Sequence, residues 1–302
     1  MKKRQLGQSD LYVSEIGLGC MSLGTVENHA ISIIDKAIEQ GINYFDTADL
    51  YDRGVNEELV GKAIKHRRHD LILATKVGNR WREDYSGWDW DPSKTYIKEA
   101  VKQSLKRLQT DYIDLYQLHG GTIEDQIDET IEAFEELKKE GVIRYYGISS
   151  IRPNVIKEYL TKSSIVSIMM QYSLLDRRPE EWFPLIKEYN VSVIARGPLA
   201  KGLLTDKPLD LKLQTNGYLS YSNDELKALL TELENIDSSH SMTELALQYC
   251  LYHDVIGAVI PGASKLQQVI ENTSAVLSDP LTSQTYELLQ KLTKKDTYNQ
   301  HR

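Results

Sequence analysis

Residues 92–119 read PSKTYIKEAVKQSLKRLQTDYIDLYQLH, one amphipathic helix followed by one short strand. Pro92-Ser93 opens the helix, and Ile97, Val101, Leu105 and Leu108 fall on a single stripe at helical spacing. After a polar break, Ile113–Leu118 is a brief apolar run, the pattern of a parallel strand covered on both faces. The same unit recurs on either side. Strands are predicted at Ile16–Cys20, Asn43–Asp46, Leu71–Lys76, Ile113–Leu118, Tyr145–Ile148, Val166–Gln171, Ser192–Ala195 and Ile256–Ile260. Helices are predicted around 28–40, 56–66, 153–162, 179–189, 242–252 and 265–276, with another on the stripe Ile127, Ile131, Phe134 and Leu137, ended by Gly141.

Eight alternating strand–helix units without a break in composition predict a parallel α/β architecture, a (β/α)8 TIM barrel spanning 1–302 as one domain. An open doubly wound sheet is the alternative. Two segments stand outside the rhythm. Residues 3–14, with the turn-like Gly7-Gln8-Ser9-Asp10, predict an N-terminal β-hairpin over one barrel end. Residues 197–240 are a long mixed insertion with a helical stretch near 223–235, one of the extra helices in the C-terminal half.

A hydrophobic share of 41% and a charged share of 26% suit a soluble globular chain. The net charge of −8 provides no basic footprint for nucleic acid. Cys20 and Cys250 have no metal-like spacing, and no cluster of metal-ligand histidines stands at strand ends, so no metal is expected. The basic start Met1-Lys2-Lys3-Arg4 is not followed by an apolar signal region, and no run reaches the ~18 apolar residues of a membrane span. Cytoplasmic residence is the expectation, without a membrane or nucleic-acid partner; the composition does not indicate an oligomeric state.

In a barrel of this kind, chemistry belongs at the carboxyl ends of the strands. Asp46 closes the second predicted strand, Tyr51 follows it, Lys76 closes the third and His119 follows the fourth. Singly each has an ordinary explanation: a helix cap, a packed ring, a solvated cation. Together they form a compatible set. A phenol is a sluggish proton donor at neutral pH, with a pKa near ~10. An ammonium against a phenol favours its ionised form, a carboxylate keeps the ammonium charged, and a neutral imidazole can orient a carbonyl oxygen. Such a set lacks a reductant, so a hydride carrier is required.

The residues that carry this set also resemble the aldo-keto reductases, in particular the bacterial, NADPH-dependent branch similar to potassium-channel β subunits. The resemblance lies in Gly41-Ile42-Asn43-Tyr44-Phe45-Asp46-Thr47-Ala48, then Tyr51 and Glu57-Glu58-Leu59-Val60-Gly61. It continues through Thr75-Lys76 and Asp114-Leu115-Tyr116-Gln117-Leu118-His119. It implies the eight-stranded barrel, Tyr51, Asp46, Lys76 and His119 as a catalytic tetrad, and carbonyl reduction with NADPH, NADH not being excluded. A small-molecule carbonyl substrate is the implied partner. No Gly-x-Gly-x-x-Gly motif follows a strand, so a Rossmann site finds no support.

The resemblance also implies cofactor contacts. Gly19, Met21 and Asp46 belong to the first strand ends, and Ser149 and Gln171 match the side chains that hold the nicotinamide carboxamide. Arg196, Gly197 and Leu199 occupy the position of a Tyr-Ser-Pro-Leu segment, so that Arg196 replaces a stacking aromatic ring; a guanidinium plane also stacks. Lys201 and Gly202 continue the loop across the pyrophosphate. Gly262, Ser264, Lys265, Gln268, Glu271 and Asn272 resemble the adenosine-phosphate site, with Lys265 as its cation. Ser150 stands in place of an Asn, and Gly120-Gly121 follow His119 where Pro and Asp are usual, which implies an altered loop path. The competing function is a cofactor-bound redox-sensing subunit with little turnover, although no segment resembling an inactivation arm precedes the barrel. Finally, Trp81, Trp88 and Trp90 lie in the loop after Lys76, and at least one is expected to line an apolar pocket, Trp81 being the residue chosen for that role.

Overall fold

The computed structural model describes residues 1–213, 217–236 and 239–302. The chain starts with a hairpin of β1 (Lys3–Gln5) and β2 (Tyr12–Ser14). Then come β3 (Leu18–Gly19), α1 (Glu27–Glu39), β4 (Tyr44–Asp46), α2 (Val55–Ile64) and β5 (Ile72–Val77). A second hairpin, β6 (Asn79–Trp81) and β7 (Trp88–Trp90), precedes α3 (Lys94–Leu108) and β8 (Ile113–Leu118). The next units are α4 (Ile127–Lys139), β9 (Ile143–Ser149), α5 (Pro153–Lys162), β10 (Ser167–Gln171), α6 (Phe183–Glu188) and β11 (Ser192–Arg196). Two insertion helices, α7 (Leu209–Lys212) and α8 (Asn223–Leu233), lead to α9 (Met242–Leu251), β12 (Ile256–Ile260), α10 (Leu266–Leu277) and α11 (Ser283–Leu292).

Eight parallel strands run in the order β12-β11-β10-β9-β8-β5-β4-β3. Bridges Ile16↔Val259 and Gly19↔Gly262 join the two edges, so the sheet closes and the open-sheet alternative is excluded. All eight predicted strands are present, with ends shifted by up to two residues. Each is buried on both faces, except near the start of β9, where Arg144 is exposed and Tyr145 half-buried. Ala74, Leu115, Met169, Ile194 and Ala258 pack inside the barrel, whereas Leu73, Tyr116, Ile168, Val193 and Val259 pack outward under the helices.

The N-terminal hairpin covers the end where the strands begin. Leu6, Leu11 and Val13 join the interior cluster, and Arg4 donates to the carbonyls of Leu251, His253 and Ile256. The helices start and stop as their local chemistry dictates. Ser93 caps α3 by accepting from the Tyr96 amide, and Ser222–Glu225 and Ser241–Glu244 form reciprocal capping boxes on α8 and α9. The predicted helix at 179–189 starts as a 3-10 turn at Arg178–Trp182, and α6 occupies only its second half. The β6–β7 hairpin, α7 and α11 were not predicted.

Candidate active site

Register brings the candidate residues together. Asp46 pairs with Ala74, and Lys76 pairs with Gln117, so Asp46, Lys76 and Gln117 share the inward face of three adjacent strands. The Lys76 ammonium donates to Asp46 Oδ2 at 2.6 Å, to the Thr47 carbonyl at 2.8 Å and to the Tyr51 hydroxyl at 3.3 Å. Gln117 Nε2 donates to the other Asp46 oxygen at 3.2 Å. Burial alone would lower the Lys76 pKa, but Asp46 and Tyr51 outweigh it and hold the ammonium above the ordinary lysine value. Burial pushes the Asp46 carboxyl up, against the pull of Lys76 and Gln117. The 2.6 Å contact, dry on both sides, keeps the two groups an ion pair at neutral pH.

Tyr51 begins a 3-10 turn, Tyr51–Gly54, in which Asp52 and Arg53 take left-handed conformations at φ 48° and 57°. Non-glycine residues there are strained and persist only where neighbours over-determine them. Here the Arg53 guanidinium lies 5.5 Å from the Trp81 ring and 5.0 Å from the Tyr85 ring, and the Trp81 indole donates to the Leu50 carbonyl at 3.3 Å. The β6–β7 hairpin therefore braces the turn that carries Tyr51. His119 meets Tyr51 edge to face, with ring centroids 6.0 Å apart. Burial, then the charges of Lys76 and Arg196, bring the His119 pKa down to about 3, so its imidazole is neutral at physiological pH. Its Nδ1 is buried and has no hydrogen-bond partner.

A cavity of about 400 Å³ opens beside His119. Ser149 and Arg196, the last residues of β9 and β11, and Met169 in the middle of β10 form its floor. Trp88 and Trp90 form one wall, and Gly120–Thr122 with Ile151 and Arg152 form another. Trp90 explains Gly120. Its indole donates to Asp125 Oδ1 at 3.0 Å, and a Cβ at Gly78 or Gly120 would come within 2.5 or 3.2 Å of its ring. A Cβ at the neighbouring Gly121 would instead come within 3.1 Å of the Val155 side chain. The expectation of an aromatic wall holds for Trp88 and Trp90. Trp81 does not line this cavity; it lies over Arg53 instead, because its N–H is committed to Leu50.

The remaining predicted residues lie at or after the ends of β3, β10, β11 and β12, the last of them within α10. Gly19 is bridged to Gly262, and Met21 is exposed beside them. Gln171 is absent from the cavity lining; its amide donates to Asp176 and Tyr218 and accepts from Arg196 at 3.1 Å. Gly197, Leu199, Lys201 and Gly202 follow β11, with Lys201 exposed at φ 58°. Gln268 Oε1 accepts from the Ser264 amide at 2.8 Å. Lys265 is the exposed N-cap of α10, Glu271 is exposed and Asn272 is buried. Sequence reasoning missed Gln117, Thr47, Asp125, Arg152 and His29, whose Nε2 meets the Ser264 carbonyl at 2.9 Å. The inward parity of Gln117, two residues before His119, was the one signal available. Among the described residues, no group of three or more potential ligands is placed to hold a metal, and no helix is long and apolar enough to cross a membrane.

Residues 15–294 match the aldo/keto reductase family. An uncharacterized oxidoreductase of Bacillus subtilis, YqkF, is 66% identical over the whole of both chains. Among solved structures, an aldo-keto reductase of Bacillus halodurans in its holo form superposes with a TM-score of 0.96 at 66% identity, covering 100% of this chain and 99% of that one. The apo form of that protein superposes with a TM-score of 0.88 at 63% identity and the same coverage.

Proposed function

Since the chain belongs to the aldo/keto reductase family, we propose that this oxidoreductase converts aldehydes or ketones to alcohols, with Tyr51 as the general acid. One observation carries the reading: the Lys76 ammonium touches both the Asp46 carboxylate and the Tyr51 hydroxyl, beside a neutral His119. The cavity, lined by the His119 ring and the polar Ser149, suits a nicotinamide ring and a carbonyl group. A reduced nicotinamide, when bound, would supply the hydride for the carbonyl carbon. Tyr51 gives its proton to the carbonyl oxygen and is reprotonated from solvent, while His119 directs that oxygen. Asp46 and Gln117 hold Lys76 in register. Ser149 and Arg196 would hold the nicotinamide half of the cofactor, the Lys201–Gly202 loop its pyrophosphate, and the Ser264–Asn272 segment its adenosine half.

The test is steady-state cofactor oxidation with a panel of aldehydes. Many turnovers per active site are expected, with aromatic or medium-chain aldehydes ahead of short polar ones, because Trp88 and Trp90 offer a flat apolar wall. A cofactor that stays bound and reduced in the presence of every aldehyde would overturn the reading.

NADPH is the proposed reductant. The exposed Lys265 at the start of α10 supports this choice, since a cation beside a helix amino terminus would attract a 2′-phosphate. Lys265→Glu is expected to weaken NADPH about tenfold and NADH by less than about twofold, since a charge-assisted contact of this kind is worth about 1.5–3 kcal/mol. Parallel fluorescence titrations decide it: equal losses for both cofactors would mean that Lys265 makes no specific phosphate contact.

A further inference from the structure

The cavity beside His119 is lined by two guanidinium groups and by no carboxylate. Arg152 enters from the loop after β9 and Arg196 from the end of β11, and both are half-buried. Each makes a single side-chain hydrogen bond, to a neutral acceptor: Arg152 to the Gly121 carbonyl at 2.6 Å, and Arg196 to Gln171 Oε1 at 3.1 Å. Other guanidiniums packed into this fold have carboxylate partners: Arg68 on Asp114, Arg107 on Glu57, Arg177 on Glu180 and Arg178 on Asp176. A guanidinium does not shed its proton, so removing part of its water without a counter-charge is unfavourable. Arg152 is also the N-cap residue of α5, an end of a helix that favours anions rather than cations.

We propose that the cavity accepts carbonyl substrates bearing a carboxylate, and that Arg152 is the specificity-determining residue that receives it. The inference rests on the reductase reading above. Arg196 already has a place against the nicotinamide, whereas nothing in that reading employs Arg152. Its bond to Gly121 fixes the head group and leaves four N–H donors in the planar arrangement that matches a carboxylate. Trp88 and Trp90 line the same cavity, so the favoured compound has a flat apolar body with the carbonyl at one end and the carboxylate at the other. The cofactor's phosphates are a poorer counter-ion. Their proposed sites follow β11 and β12, which stand two and three strands away from β9 around the barrel.

The experiment compares para-carboxybenzaldehyde with its methyl ester, using the full chain and NADPH. The acid is expected to be favoured in kcat/KM by about ten- to hundredfold, the range of a charge-assisted hydrogen bond. Arg152→Gln should remove that preference through KM, leaving the ester within about twofold of the parent value. A second readout needs no turnover. Quenching of tryptophan fluorescence by para-(hydroxymethyl)benzoate should show Arg152→Gln binding about tenfold more weakly, while NADPH titrates as in the parent. Equal efficiency for acid and ester in the parent would overturn the inference and leave the reductase reading intact. So would an Arg152→Gln variant that weakens NADPH, because Arg152 would then belong to the cofactor. If neither compound is turned over, the reductase reading fails and the inference fails with it.

Discussion

Tyr51→Phe is expected to reduce carbonyl turnover by a factor of about 10²–10⁴ while leaving cofactor affinity within a few-fold, the usual range for removing a positioned acid. The substitution deletes one oxygen and little else. The ring keeps its edge-to-face contact with His119, and the turn remains braced by Arg53, Trp81 and Tyr85. Lys76 loses its weakest contact, at 3.3 Å, and keeps those to Asp46 and Thr47 at 2.6 and 2.8 Å. The loss should therefore fall on kcat and kcat/KM alike, the signature of an interaction made in the transition state. Fluorescence titration and turnover on one preparation check both halves. Turnover near the parent level would remove Tyr51 from the mechanism.

Turnover in that variant should also be insensitive to His119 titration. With its pKa brought down to about 3 by burial and by the nearby cations, the imidazole stays neutral from pH 5 upward and offers no protonation change to a rate profile in that range.

What was legible in the sequence, and what was not, follows from where the free energy of each element originates. The barrel strands are buried on both faces, so they stand out as apolar runs, and all eight were found. The β6–β7 hairpin is different. Its strands are three residues long and largely exposed, and they are held by contacts distant in sequence: Trp81 on Leu50, Arg53 on Trp81, Trp90 on Asp125. No periodicity records such contacts. For the same reason the three tryptophans could be assigned to one segment but not sorted into wall and brace. The glycines at 120 and 121 were visible as an anomaly, and their causes, the ring of Trp90 against Gly120 and the Val155 side chain against Gly121, were not.

The tetrad was legible because its members stand at strand ends in a spacing that parallel register must bring together. Arg152 was not, since an arginine two residues beyond a strand is ordinary. Only its lack of a counter-ion within a shared cavity sets it apart.

Lys76→Met is expected to be the most damaging single change to stability, and its cost should depend on pH. Met fills a comparable volume but leaves the Asp46 carboxyl, only 3% exposed, without its cation. Removing one partner of a buried pair typically costs about 3–5 kcal/mol. An independent bound agrees. The stranded carboxyl can take up a proton, and holding it protonated at pH 7 against an unfolded pKa near ~3.9 costs about 4 kcal/mol, at about 1.4 kcal/mol per pH unit. Burial already raises Asp46, and losing Lys76 removes the largest opposing influence, so the folded pKa rises further. The folded state then binds more protons than the unfolded one. Relative to the parent, the deficit should be smallest below pH ~4 and grow as the pH rises through the window between the unfolded and folded values. Asp46→Asn added to Lys76→Met removes the stranded charge and should restore more than half of the loss at pH 7 while leaving the protein inactive. Denaturant unfolding of the parent, the single variant and the double variant at pH 5 and pH 8 measures all of this. A deficit that is independent of pH, with no recovery in the double variant, would show that the cost of Lys76→Met lies in packing and not in the buried charge.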